Sequence, residues 1–215
     1  TVAEGGELRI ASGDLQIAAL GKLNIGNGGR AGSVSVVSGA IVNDGAIVAN
    51  FTDSYSHSGE IAGTGSLTKT GIGTLTLSGT NSYSGATSVT GGKLVVNGTI
   101  ASSSGVMVAA GATIGGSGTL PSLTVGGTLA PGNSPGTLTV NGNLTLIAGS
   151  TYEAEIQGAV SDRVNITGTA ALAGTLKLIP LGGAYRFDNP YTLLSAAGGR
   201  NGTFSPVDTS GSFGA

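Results

Sequence analysis

Thr137-Leu138-Thr139-Val140-Asn141-Gly142-Asn143-Leu144-Thr145-Leu146 places two apolar–polar–apolar triplets on either side of an Asn-Gly turn. A period of two marks each triplet as a short strand with one buried and one exposed face. The unit recurs along the chain. It appears as Leu8-Arg9-Ile10, Leu15-Gln16-Ile17, Leu23-Asn24-Ile25 and Val34-Ser35-Val36, then as Leu75-Thr76-Leu77 and Leu123-Thr124-Val125, and again as Val164-Asn165-Ile166 and Leu176-Lys177-Leu178. Gly13, Gly21, Asn97-Gly98, Gly126-Gly127 and Asn141-Gly142 separate the units. Such residues supply the positive φ of sharp corners. Ala11 to Leu20 is the best helical candidate, but it holds Gly13 and lies between two strand units, so essentially no helix is expected.

From Leu94 to Tyr152 there is no charged residue at all. No run there approaches the ~20 apolar residues of a membrane helix. The regular return of Leu, Val and Ile also separates the stretch from charged disorder. A membrane barrel requires strands of roughly 10 residues with aromatic girdles, whereas these units are short and Trp is absent. A sandwich requires longer strands with charge on the outer faces. The pattern fits an all-β solenoid, a parallel β-helix, in which each strand pairs with the coils on either side. Stacked like charges about 4.8 Å apart would repel, so an uncharged polar exterior suits this architecture.

The chain has 215 residues and 41 glycines without a Gly-X-Y period, which excludes collagen. A net charge of -2 and the lack of a basic block give no footprint for nucleic acid. The absence of cysteine fits export through an oxidising periplasm. Thr1 to Ile10 holds neither an apolar signal core nor a cleavage site, and there is no initiator Met, so targeting signals are expected outside this chain.

Gly71-Ile72-Gly73-Thr74-Leu75-Thr76-Leu77-Ser78-Gly79-Thr80-Asn81-Ser82-Tyr83-Ser84-Gly85-Ala86-Thr87, continued by Gly91-Gly92-Lys93-Leu94-Val95-Val96-Asn97-Gly98, resembles the passenger-associated transport repeat of autotransporters. The family usually has Thr where Ser82 stands and Gly where Ala86 stands. Gly127 to Leu138 resembles the segment that commonly follows the repeat. Ser161 to Gly168 and Tyr191 to Phe204 resemble the region before the translocating barrel, which caps the β-helix and is called the autochaperone. The resemblance covers roughly Gly63 to Ser212. It implies a right-handed parallel β-helix, type V secretion in a Gram-negative bacterium, and a place at the cell surface or in the medium. It leaves the activity open, because passengers include adhesins, self-associating proteins, proteases and esterases.

Composition shifts near Thr151. Tyr152, Tyr185, Phe187, Tyr191, Phe204 and Phe213 lie beyond it, and charge returns with Glu153, Glu155, Asp162 and Arg163. The last coil of a solenoid exposes its core and a strand edge, which large aromatic side chains can cover. Residues 1–150 are therefore read as stalk coils and 151–215 as a C-terminal, autochaperone-like cap. Its expected core is Tyr152, Tyr185, Phe187, Tyr191, Leu193, Leu194 and Phe204.

Candidate chemistry is sparse. Gly132-Asn133-Ser134-Pro135-Gly136 formally matches a Gly-x-Ser-x-Gly elbow, but Pro135 has no N–H for an oxyanion hole and no helix follows. Asp53-Ser54-Tyr55-Ser56-His57-Ser58 sets Asp, His and Ser close in sequence, but a triad is assembled by tertiary geometry. This segment reads as a surface loop, with Asp53, Tyr55 and His57 as contact residues. Gly26-Asn27-Gly28-Gly29-Arg30-Ala31 loosely matches a dinucleotide fingerprint but lacks the following helix. Glu153 and Glu155 share a strand face and are expected to be solvated. No catalytic residue, cofactor or metal site is assigned.

The expected function is a β-helical stalk and folding cap of a surface-displayed passenger, part of an adhesin or self-aggregating virulence protein. Expected partners are a host surface glycan or matrix protein, another copy of the chain, and the outer-membrane barrel of the parent chain. The alternative is the stalk of an autotransporter protease or esterase whose catalytic domain lies N-terminal to Thr1.

Overall fold

The computed structural model describes residues 1–3, 5–36, 39–185 and 190–211. Among these there are 27 short strands and no helix. Strands stack in parallel from one coil to the next, as in a β-helix. One face runs from Lys22–Ile25 through Ala46–Asn50, Ser66–Thr70 and Thr87–Val89 to Arg200–Gly202. A second runs from Ser54–His57 through Thr74–Leu77 and Lys93–Val96 to Val207–Asp208. The third is built in two pieces. Leu15–Ile17, Ile41–Asn43 and Ile61–Ala62 form one, and Thr119–Leu120 to Leu194–Ala196 the other. Bridges Thr80↔Thr99 and Thr99↔Thr119 continue the second piece toward the first. An antiparallel hairpin departs from the pattern, where Thr151–Gln157 pairs with Val160–Ser161.

The triplets behave as their alternation requires. Ile25, Ala49, Lys69, Val89, Val108, Val125 and Leu146 stand over one another inside. Thr74, Lys93, Thr113, Thr128, Thr151 and Thr175 form a column on the outer surface of the second face. Like over like gives each buried side chain a partner of matched shape above and below. Leu94, Val96, Ile114, Leu120, Val125, Leu129, Leu138, Val140 and Leu144 are all fully buried, so the charge-free stretch forms the middle of the core.

Glycine has a second use beyond the expected one. Gly13 has positive φ, but Gly21, Gly98, Gly126 and Gly127 do not. At the corners the constraint is close approach. A Cβ on Gly45 would lie 2.1 Å from the Gly21 carbonyl oxygen, one on Gly65 2.4 Å from Gly45 O, and one on Gly85 2.1 Å from Gly65 O. At another corner Gly79, Gly98 and Gly118 sit over Gly59 O, Gly79 O and Gly98 O at 2.2, 2.0 and 2.0 Å. No other residue fits where a coil rests its Cα on the carbonyl of the coil beneath.

Coils of unequal length share these columns. Ala46 pairs with Ser66, Val106 with Leu123 and Leu144 with Ala170, so extra residues leave the stack as loops. Pairing crosses residue 150 unbroken, with Thr128 on Thr151 and Leu129 on Tyr152. The coils beyond it are longer and looser, and every described residue after Ala170 is half-buried or exposed.

Lys69 interrupts the inner column and is fully buried. Its Nζ donates to the carbonyls of Thr70 at 2.6 Å and Gly71 at 2.9 Å, and lies 5.0 Å from the Phe51 ring centroid. Burial pushes its pKa down from 10.5 to about 8. Between these values the unfolded chain holds more protons than the folded one, so stability rises with pH across that window. Denaturant titrations from pH 8 to 10.5 should show this rise in the native chain, and Lys69→Met should flatten it.

Candidate functional site

Buried polar side chains are concentrated between Lys69 and Ser103. Asn81 is 2 % exposed at the corner that joins the two pieces of the third face. Its Oδ1 accepts the Ile61 N–H at 3.1 Å, and its Nδ2 donates to the Gly79 and Thr99 carbonyls at 3.0 and 3.1 Å. One side chain thus replaces ladder bonds to the coil on either side. Tyr83 is fully buried, with its hydroxyl 2.8 Å from Thr87 Oγ1. That oxygen lies 3.0 Å from Ser103 Oγ, which donates to Gly85 O at 2.8 Å. Burial pushes the Tyr83 phenol up to about 12, so its hydroxyl stays neutral in ordinary conditions.

The segment read as a surface loop is a strand. Ser54–His57 pairs with Thr74–Leu77, and its register sets Tyr55 beside Leu75 and His57 beside Leu77. Tyr55 and His57 therefore take inward positions, and His57 is only 6 % exposed. The cluster's polar composition concealed this, because Ser54 and Ser56 are the outward pair. Asp53, just before the strand, accepts the Ala31 N–H at 2.8 Å and faces Arg30 at 3.7 Å. Desolvation lowers the pKa of His57, favouring the neutral ring. Its Nε2 is buried and has no hydrogen-bond partner.

At the C-terminal end most of the expected cap residues converge. Tyr152, Tyr191, Leu193, Leu194 and Phe204 line one cavity of about 540 Å3 together with Leu172 and Leu176. The Tyr152 and Phe204 rings are 5.9 Å apart, and the Tyr152 hydroxyl donates to Leu193 O. Tyr191 donates to Gly158 O. Tyr185 lies outside that cavity, and its hydroxyl accepts the Gly182 N–H at 2.7 Å. Phe187 falls outside the described residues.

Ser134 borders a different recess, of about 170 Å3, lined by Lys93, Asn133, Glu153, Glu155 and Asp162 but by no histidine. Asp162 is the residue the sequence reading passed over there. The residue is 1 % exposed, and its carboxylate accepts the N–H groups of Gly136 at 2.7 Å and Glu155 at 3.0 Å. It pins the Gly132–Gly136 turn to the next coil, and a Cβ on Gly132 would meet its Oδ1 at 2.2 Å. Glu153 is paired with Lys177 at 2.9 Å. Among the described residues no group of three acidic, His or Cys side chains converges as metal ligands do.

Residues 67–96 match the passenger-associated-transport-repeat family. No curated protein matches the chain. The match spans Asn81, Tyr83 and Thr87, together with Lys69, so the repeat carries most of the buried polar network just described. It supports an autotransporter passenger domain, a family that implies export to the outer membrane and cell surface of Gram-negative bacteria.

Asn81→Ala removes three hydrogen bonds and strands the Ile61 N–H, at a cost of about 2–3 kcal/mol. Thr68→Ala, on the outer surface nearby, should change stability by less than about 0.5 kcal/mol. Chemical denaturation of both variants checks the contrast.

Proposed function

We propose that this chain is the β-helical stalk and folding cap of a surface-displayed passenger that acts in adhesion or self-aggregation. The observation that carries this reading is the outer column from Thr74 to Thr175, broken by one lysine at position 93. Its hydroxyls repeat at about 4.8 Å along a rigid axis. A second copy or a polymeric glycan with repeating hydroxyls meets that array with many parallel hydrogen bonds. Each bond is weak, so binding depends on how many form together. The scarcity of charge removes the repulsion that would keep two such surfaces apart.

The C-terminal coils supply the folding role. Strands Thr151–Gln157 and Thr175–Pro180 form the longest paired stretch of the second face. Tyr152, Leu193 and Phe204 gather apolar surface at that end. In a chain that emerges C-terminus first, this end folds early and offers a free edge on which each following coil stacks.

Two outcomes are expected. Sedimentation should show concentration-dependent association that weakens when Thr113, Thr128 and Thr151 are all replaced by Lys; a strict monomer at high concentration counts against adhesion between copies. Residues 1–150 alone should refold much more slowly than the whole chain, and equal refolding rates would sink the folding role.

A further inference from the structure

Among the described residues, the junction between the second and third coils lacks strand pairing on one face. Between the second and third coils, Ile41–Asn43 pairs with Ile61–Ala62 and Ala46–Asn50 with Ser66–Thr70. Among the described residues the remaining face has no such pairing. Ser33–Val36 pairs with Glu7–Ile10, and Ser54–His57 with Thr74–Leu77, but these two strands do not pair with each other. Two strand edges therefore confront one another across a gap.

The bonding pattern shows which groups face that gap. Ser33 donates its N–H back to Gly6 O, so the main-chain groups of Val34 and Val36 point the other way. Thr74 and Ser78 donate to the carbonyls of Asp53 and His57, so the main-chain groups of Ser54 and Ser56, and the N–H of Ser58, point toward Ser33–Val36. The space between is a cavity of about 320 Å3, lined by both strands with Ser58 and Gly59, and none of its lining residues is acidic, Lys or Arg.

Tyr55 already fills part of it. Its hydroxyl accepts the Val34 N–H at 3.2 Å and donates to the Val34 carbonyl at 2.9 Å. One phenol thus performs the two hydrogen bonds that one residue of a paired strand would make. Beside it, His57 Nδ1 lies 3.4 Å from the same hydroxyl, and the buried Nε2 is unpartnered. A buried polar atom without a partner is costly, and His57 is one of the residues that line the gap.

We propose that this gap is a docking site for an extended, uncharged peptide strand of a partner protein, which pairs with the edges of Ser33–Val36 and Ser54–His57. Confronted β-edges are templates for an added strand, and main-chain pairing is a recurrent mode of peptide recognition. The neutral lining selects against charged side chains, whose burial there would have no counter-charge. Ser54 stands in register with Thr74 at the end of the outer threonine column, but the site uses the main-chain edge and not those hydroxyls, so it can exist whether or not copies associate through that column.

The test uses the whole chain and two end-blocked heptapeptides. One has the sequence of residues 74–80, the strand that Ser54–His57 already accepts on its other edge. The other alternates Thr and Val. Binding is read by fluorescence anisotropy and by slowed amide exchange at Ser54, Ser56 and Ser58. Saturable binding by at least one peptide, with protection of those amides, is expected. Ser56→Pro removes a gap-facing N–H and should weaken binding by about tenfold or more. Tyr55→Phe frees the Val34 edge without touching strand pairing, and should tighten it. Glucose, galactose and N-acetylglucosamine should protect none of these amides. The proposal is overturned if neither peptide binds, if binding survives Ser56→Pro and is unchanged by Tyr55→Phe, or if a sugar or a second copy protects the amides in place of a peptide.

Discussion

Main-chain pairing sets the coil-to-coil distance near 4.8 Å, and almost every other property of this molecule follows from that spacing. At the corners it leaves no room for a side chain, which selects the glycine columns Gly21–Gly45–Gly65–Gly85 and Gly59–Gly79–Gly98–Gly118. On the flat faces it puts each residue directly over its counterpart. Apolar residues then gain a matched neighbour on two sides, and hydroxyls do so at little cost, while repeated charge is repelled. The composition, poor in charge and rich in Gly and Thr, is what this distance permits.

The same spacing explains how polarity enters the interior. A corner that departs from regular pairing leaves N–H and C=O groups of two coils without partners. Asn81 answers this with one amide that bonds to coils on both sides. Asp162 does so with a carboxylate that holds the N–H groups of Gly136 and Glu155. Burial raises the pKa of Asp162 against the pull of those two bonds. Lys69 serves carbonyls where the chain leaves the first face at Thr70 and Gly71. These side chains stand in for the backbone, and the family repeat from 67 to 96 contains two of the three.

Much of this was legible in the residues. Triplets such as Leu123-Thr124-Val125 and Leu144-Thr145-Leu146 became stacked strands, because alternation reports burial wherever one face is covered. The gathering of Tyr152, Tyr191 and Phe204 was also visible as a shift in composition. Other features were not. Lys69 stands inward, two residues on from Leu67, and only the carbonyls of Thr70 and Gly71 make that position tolerable; they come from a turn no periodicity describes. Asp53 to Ser58 read as a loop because every one of its side chains is polar or titratable. Its strand character comes from Thr74–Leu77, twenty residues downstream in register. The gap beside Val34 has no sequence signal, since it is a bond pattern missing between two coils.

That gap also bears on how the molecule carries load. A filament anchored at one end transmits tension through every junction between successive coils. Most junctions near the middle are closed on three sides, whereas the one between the second and third coils is closed on two. Bonds on an open side are peeled one after another and cannot share the force. Under an axial pull the first two coils should therefore part from the column as a unit, sparing the core from Leu67 onward and acting as a mechanical fuse.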